Sequence, residues 1–151
     1  MLSTYRNFYT YLATKKIVGN NPFKLVRNPK KEKKLPNFLT YQEFDDLVNS
    51  IKVDDDFDIR NRLIMELLYA TGVRVSELTN IKIEDINFSD RSIKVMGKGS
   101  KERIVYFGDY AKEAMSDYLG GVRNELLKNN KSSYLFINNK GTPLTRRGVE
   151  E

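Results

Sequence analysis

The sequence predicts an α+β protein, mainly helical, with one small three-stranded antiparallel sheet. Three observations carry this reading. Apolar residues recur at helical spacing over most of the chain. The period then changes to strict alternation between about residues 84 and 107, where two turn signals separate three short runs. Helical spacing resumes from Ala111, so the strands are segregated rather than interleaved with helices.

The elements follow in order. In "YRNFYTYL", Tyr5, Phe8, Tyr9 and Leu12 fall at i, i+3, i+4 and i+7, an amphipathic helix that "GNNPF" ends through Gly19 and Pro22. A lone short helix cannot bury its own aromatic face, so it must dock on something else. "KLVRNPKKEKKLPN" is basic, punctuated by proline and without apolar period, and reads as an extended linker. "LTYQEF" opens the main domain. Thr40 and Glu43 are spaced for a capping box, Leu39 and Phe44 for a hydrophobic staple. Phe44, Leu47, Val48 and Ile51 continue that helix until "VDDDFD" breaks it. A second helix, from about Ile59 to Tyr69, buries Leu63, Ile64, Leu67 and Leu68 and stops at Gly72. "RVSELTNI" is a short helix.

"EDINFS", "SIKVM" and "ERIVYF" are the strands, joined by a tight "DR" turn and by "GKGSK". Ala111, Ala114, Met115, Tyr118, Leu119, Val122 and Leu126 line one helix, which Gly120–Gly121 weakens by roughly 1 kcal/mol each. "SSYLFIN" is extended, "NKGTP" a turn, and "LTRRGVEE" the onset of a further helix.

Bulk chemistry narrows the function classes. The 151 residues contain no cysteine, histidine or tryptophan, which excludes disulfides and thiolate metal sites and argues against zinc. No apolar run is long enough for a transmembrane helix, and the first twenty residues do not read as a signal peptide. A cytoplasmic setting is the default expectation. The net charge of +6 is asymmetric: residues 1–38 hold nine Lys/Arg against one acid, and the remainder is slightly acidic. Such a front-loaded charge points to a polyanion, most often nucleic acid; a merely solvated basic arm explains it as simply.

Three groups of residues can carry chemistry. Arg74 and Glu77 share a face of the short helix, an arrangement suited to a phosphate or to an ordinary surface ion pair. Lys98 lies between two glycines of "GKGSK", with Arg91, Lys94, Lys101 and Arg103 nearby. A lysine so presented can reach a nucleic-acid groove and protonate a leaving oxygen, or simply be a solvated turn lysine. The glycines do not form a phosphate-binding P-loop, whose spacing is absent. Thr145, Arg146 and Arg147 precede the last helix and are placed for backbone phosphates, or are a charged chain end.

Together, "LLYATGVRVSELTNIKIEDINF" and "IKVMGKGSKERIVYF" resemble the tyrosine recombinase family of phage-integrase and Xer type. "PKKEKKLPNFLTYQEFDDLV" resembles its linker and first catalytic-domain helix. The resemblance spans essentially the whole chain and is most specific over residues 67–107. It implies residues 1–25 as the last helix of an N-terminal core-binding domain, 26–38 as a basic linker, and 39–151 as a partial catalytic domain. It implies an enzyme that breaks and rejoins DNA through a 3′-phosphotyrosyl link. Arg74 would clamp the scissile phosphate, Glu77 would support it, and Lys98 would protonate the 5′-oxygen. Lys30, Lys31, Lys33, Lys34, Lys94, Lys101, Arg103, Thr145, Arg146 and Arg147 would contact DNA. The partner implied is double-stranded DNA, with a homotetramer on DNA for the full-length parent. No metal, cofactor, membrane or small-molecule substrate is implied. The family's His-x-x-Arg pair, further His or Trp, and nucleophilic Tyr would lie beyond Glu151, so the chain is expected to be inactive alone. A non-catalytic DNA-binding or regulatory module is the alternative, and a structural protein with a solubilising linker a third.

Overall fold

The computed structural model describes residues 2–27, 38–97, 99 and 101–150. The expectations for Lys30, Lys31, Lys33, Lys34 and Lys98 fall outside the described residues. The chain divides into two compact units, Met1–Phe38 and Leu39–Glu151.

In the first unit, α1 (Leu2–Thr14) carries the expected aromatic stripe. It ends before Gly19, at a turn in which Lys16 takes a left-handed φ of 56°. The amides of Lys16 and Ile17 then donate to the carbonyls of Ala13 and Leu12. The reason is a tether: the Asn21 side-chain amide donates to Arg6 O and Thr10 Oγ1, which requires the chain to reverse earlier. Phe23 returns onto Tyr5 and Tyr9, at ring-centroid distances of 5.5 and 5.1 Å. No residue of α1 is buried, so its aromatic face is only partly covered within this unit.

In the second unit, α2 (Tyr41–Ser50) has the predicted capping box, with Thr40 and Glu43 bonded reciprocally. The acidic run after it does more than break a helix. Asp55 caps α3 (Asp56–Thr71) by accepting from the amides of Phe57 and Asp58, and the Asp58 carboxylate accepts from the amide of Asp55. Helix α3 therefore starts three residues earlier than its apolar period suggests. It supplies Leu63, Ile64 and Leu67 to the core.

After α4 (Val75–Leu78) and a single 3₁₀ turn, β1 (Ile86–Asn87), β2 (Ser92–Met96) and β3 (Glu102–Tyr106) form one antiparallel sheet in the order β1-β2-β3. The fold class is the one the sequence predicts. The first connection is longer than a two-residue "DR" turn. Asn87 pairs with Ser92, leaving Phe88–Arg91 as a four-residue loop closed by hydrogen bonds between Asn87 and Asp90. Ile93, Val95 and Val105 face the core, and alternate residues face outward.

The helix predicted over residues 111–126 is divided. α5 (Asp109–Asp117) passes through a π-turn, leaves helical geometry at Gly121 and resumes as α6 (Arg123–Leu127). α7 (Arg147–Glu150) closes the described chain. The extended segment around Leu135, Phe136 and Ile137 is wholly buried. Its polar backbone is satisfied by side chains whose periodicity gave no sign of that task. Arg123 donates to the carbonyls of Ser132, Tyr134 and Leu135; Arg60 donates to that of Ile137; the Tyr118 hydroxyl accepts from the amide of Ile137.

Candidate active site

Gly72 takes a left-handed φ of 60° at the end of α3, a conformation that glycine adopts without strain. The turn buries Val73 in the core and sets Arg74 as the N-cap residue of α4. The Arg74 side chain is thereby turned outward, with 70% of it exposed. Glu77, one turn along, reaches back to Arg74 and is 5% exposed.

A buried carboxylate needs partners, and Glu77 has two arginines. The Arg74 backbone amide donates to Oε2 at 2.8 Å, and Arg74 Nη1 donates to Oε1 at 3.0 Å. Arg103 donates from Nη1 to Oε1 at 2.8 Å and from Nη2 to Oε2 at 2.9 Å, a two-pronged grip from β3. These bonds, Arg103 first and the Arg74 amide next, hold the Glu77 carboxyl at a pKa of about 2. Glu77 therefore stays ionised at any ordinary pH and ties α4 to the sheet.

Sequence reading assigned Arg103 to DNA contact. The structure places it on the inward face of β3, opposite Val95 and joined to Glu77. The signal was present in the alternation: Arg103 is two residues from Val105, so it shares the core-facing side of the strand. An inward arginine must find a carboxylate, and Glu77 is the buried one in reach.

The remaining candidates separate. Lys94 lies on the outward face of the sheet between Asp85 and Glu102, at 3.8 and 3.9 Å. Lys101 is exposed, and its backbone carbonyl accepts from Gly97 at the neck of the β2–β3 hairpin. Thr145 Oγ1 accepts from the amide of Gly148, a local cap for α7. Arg147 is exposed at the start of that helix. Arg146 is brought to the site: it lines one cleft of about 420 Å³ together with Arg74, Val75 and Ser76, while its Nε donates to Glu150 at 2.8 Å. Two guanidiniums on one open cleft are suited to a phosphodiester. Among the described residues, no group of three or more carboxylate, histidine or cysteine side chains is arranged to hold a metal ion.

Comparison with known proteins places the chain in a family. The profile of the phage integrase family matches residues 37–151. Tyrosine recombinase XerC of Staphylococcus saprophyticus is 43% identical over 148 residues, covering 98% of this chain and 49% of that protein. Tyrosine recombinase XerC of Halalkalibacterium halodurans is 43% identical over 154 residues, covering 99% and 51%. The chain thus spans about half the length of the curated relatives it matches. Among solved structures, XerH site-specific recombinase bound to its difH substrate in a pre-cleavage complex superposes with a TM-score of 0.62 at 30% identity, over 75% of this chain and 33% of that one. XerA recombinase shares the fold, with a TM-score of 0.66 at 23% identity over 99% of this chain and 58% of that one. The match over residues 37–151, with relatives of this identity along nearly the whole sequence, shows that the chain belongs to the phage integrase family of tyrosine recombinases.

Proposed function

We propose that this chain carries the first part of a DNA strand-exchange site, in which Arg74 clamps the scissile phosphate. The observation that carries the reading is the relay from Arg103 through Glu77 to Arg74. A side chain 70% exposed to solvent is nonetheless held at one guanidinium nitrogen, and its backbone amide at another point, by a buried carboxylate. An arginine held this way has lost part of its rotamer freedom before any ligand arrives, which lowers the entropic cost of ligating a phosphate.

In the full reaction, a tyrosine oxygen attacks phosphorus, the P–O5′ bond breaks, and a 3′-phosphotyrosyl link forms. Arg74 and Arg146 offset the charge that builds on the non-bridging oxygens. Lys98 gives the departing 5′-oxygen its proton. The nucleophilic tyrosine and the His-x-x-Arg cluster belong to sequence outside these 151 residues, so the chain alone binds duplex DNA and does not cut it. Lys30, Lys31, Lys33, Lys34, Lys101 and Arg147 contribute phosphate contacts, and the longer protein works as a tetramer on its site. XerH, 30% identical, was crystallised on its DNA substrate, which supports DNA as the partner here.

The test has two readouts. Affinity of the chain for a labelled duplex is measured against salt, and covalent adducts are sought on a nicked suicide duplex. A steep fall of affinity with salt and no adduct are expected. Salt-insensitive or absent binding overturns the DNA reading, and an adduct overturns the assignment of the nucleophile to other sequence.

A further inference from the structure

A second cavity lies away from the Arg74 cleft and shares no lining residue with it. It measures about 160 Å³ and is formed by α2, the C-terminal half of α3 and the start of α5. Its walls are the rings of Tyr41, Phe44, Tyr69 and Tyr110, with Phe44 and Tyr69 stacked at a centroid distance of 3.7 Å. Two carboxylates, Asp45 and Glu66, join Ala70, Gly108 and Ala111 in the lining, and no basic residue does among the described residues.

Glu66 is the unusual group. It is 8% exposed, and it makes no hydrogen bond or ion pair with any described residue. Arg62, one turn earlier on α3, makes no ion pair with it. Burial pushes the Glu66 carboxyl above the usual carboxylate range; the Arg62 charge opposes the rise, and Asp45 adds a smaller push upward. Among the described residues, neither carboxylate of this aromatic pocket makes an ion pair. The other acid-lined cavity of the unit differs in carrying basic residues. The cavity beside the sheet that Glu84, Asp85 and Glu102 line also contains Lys82 and Lys94 as counter-charges.

Uncompensated buried negative charge is expensive unless a cation arrives. The chemistry of the walls selects the cation. Hard divalent ions require about six or more oxygen ligands, and two carboxylates among aromatic rings do not supply them. Tyrosine faces attract organic cations, and an aliphatic stem gains by leaving water against Phe44 and Tyr69. The volume suits something the size of an amino-acid side chain and is below the range of ordinary drug-sized sites.

We propose that this pocket binds an alkylammonium cation, with Glu66 and Asp45 as its counter-charges and the tyrosine rings as its walls. The ammonium sits against Glu66 at the inner end. Tyr41 and Tyr110, 59% and 62% exposed and joined by a side-chain hydrogen bond, form the rim, and the stem runs out beside them. A lysine of another polypeptide and a free polyamine present this same chemistry.

The test is an NMR titration of the isotope-labelled chain with n-butylammonium chloride, compared with n-butanol and with sodium chloride at equal ionic strength. Saturable shifts of Tyr41, Glu66, Tyr69 and Tyr110 are expected with the cation. Half-saturation should need roughly tenfold more butanol, and roughly tenfold more cation in Glu66→Gln. Tyr110→Ala removes an exposed wall and keeps both carboxylates. It should weaken binding about threefold without unfolding the chain, which keeps the test decisive if Glu66→Gln disturbs the fold. An equal response to butanol, or unchanged binding in both variants, overturns the proposal. Acetyl-Gly-Lys-Gly-amide and spermidine then identify the source. Binding by the peptide assigns a polypeptide lysine, binding by spermidine alone assigns a free polyamine, and failure of both overturns the site. No nucleic acid enters these measurements, so their outcome is separate from that of the DNA experiment.

Discussion

Arg103 and Glu77 are 26 residues apart in the chain and meet through two parallel hydrogen bonds of 2.8 and 2.9 Å. This is the link between the sheet and α4. Removing Arg103 leaves a buried carboxylate with half its donors. Arg103→Ala should lower unfolding stability by about 2 kcal/mol, allowing for the partly exposed guanidinium. Arg103→Lys keeps the charge and loses the fork, so it should recover less than half of that loss. Urea unfolding of the three proteins checks both statements.

The same carboxylate sets a pH dependence. Glu77 has a folded pKa of about 2 against an ordinary 4.5, so the folded state binds its proton more weakly than the unfolded state. Its stabilisation is complete above pH 4.5 and is lost as pH falls from 4.5 towards 2. Urea midpoints taken across that interval should fall more steeply for the native sequence than for Glu77→Gln. Parallel curves would mean that the carboxylate has no such role.

Arg74 should behave in the opposite sense to Arg103. Its side chain is 70% exposed, and its backbone amide serves Glu77 whatever the side chain is. Arg74→Ala should change stability by no more than about 0.5 kcal/mol. It should weaken duplex binding and reduce the salt slope by about 1, as expected for one lost phosphate contact. Fluorescence anisotropy at several salt concentrations, beside urea curves, separates the two effects.

Gly141 sits at φ 76° in the turn before Leu144. A Cβ there would stand 2.5 Å from Asn130 Nδ2 and 2.6 Å from the Leu127 carbonyl oxygen. Gly141→Ala combines backbone strain with a clash against main chain, and should cost about 2–3 kcal/mol. Thermal unfolding followed by far-ultraviolet circular dichroism measures it.

Glu66→Gln should stabilise the free protein at neutral pH, because it removes a buried charge that makes no ion pair among the described residues. The rise in Tm should be about 3 °C. Glu66 has a raised pKa, so the native protein regains stability as pH falls and the carboxyl takes up its proton. The advantage of the variant should therefore shrink on acidification. An advantage that persists at low pH would point to packing instead of charge.

Local chemistry was legible where a signal and its partner lie within one turn of each other. The Thr40–Glu43 box, the Gly72 stop, the alternation of β2 and β3, and the Arg74–Glu77 pair are all of this kind. Boundaries failed in two ways. The first helix ends early because Asn21 reaches back to Arg6 and Thr10 from a distance, and α3 begins early through a local Asp55–Asp58 cap that the apolar period does not show.

The sequence by itself determined the fold class and the spacing of Arg74 and Glu77 as a pair, since periodicity and short spacing encode these directly, and its motifs carried the family resemblance. Only the tertiary structure decided what Glu77 is held by, that Arg146 shares a cleft with Arg74, and that Arg60 and Arg123 satisfy a buried strand. It also decided that Glu66 lies buried beside tyrosines brought from three helices. The physical reason is common to all of these. Desolvation is a property of surroundings assembled from remote parts of the chain, and a charge reveals what it needs only once the fold has removed its water.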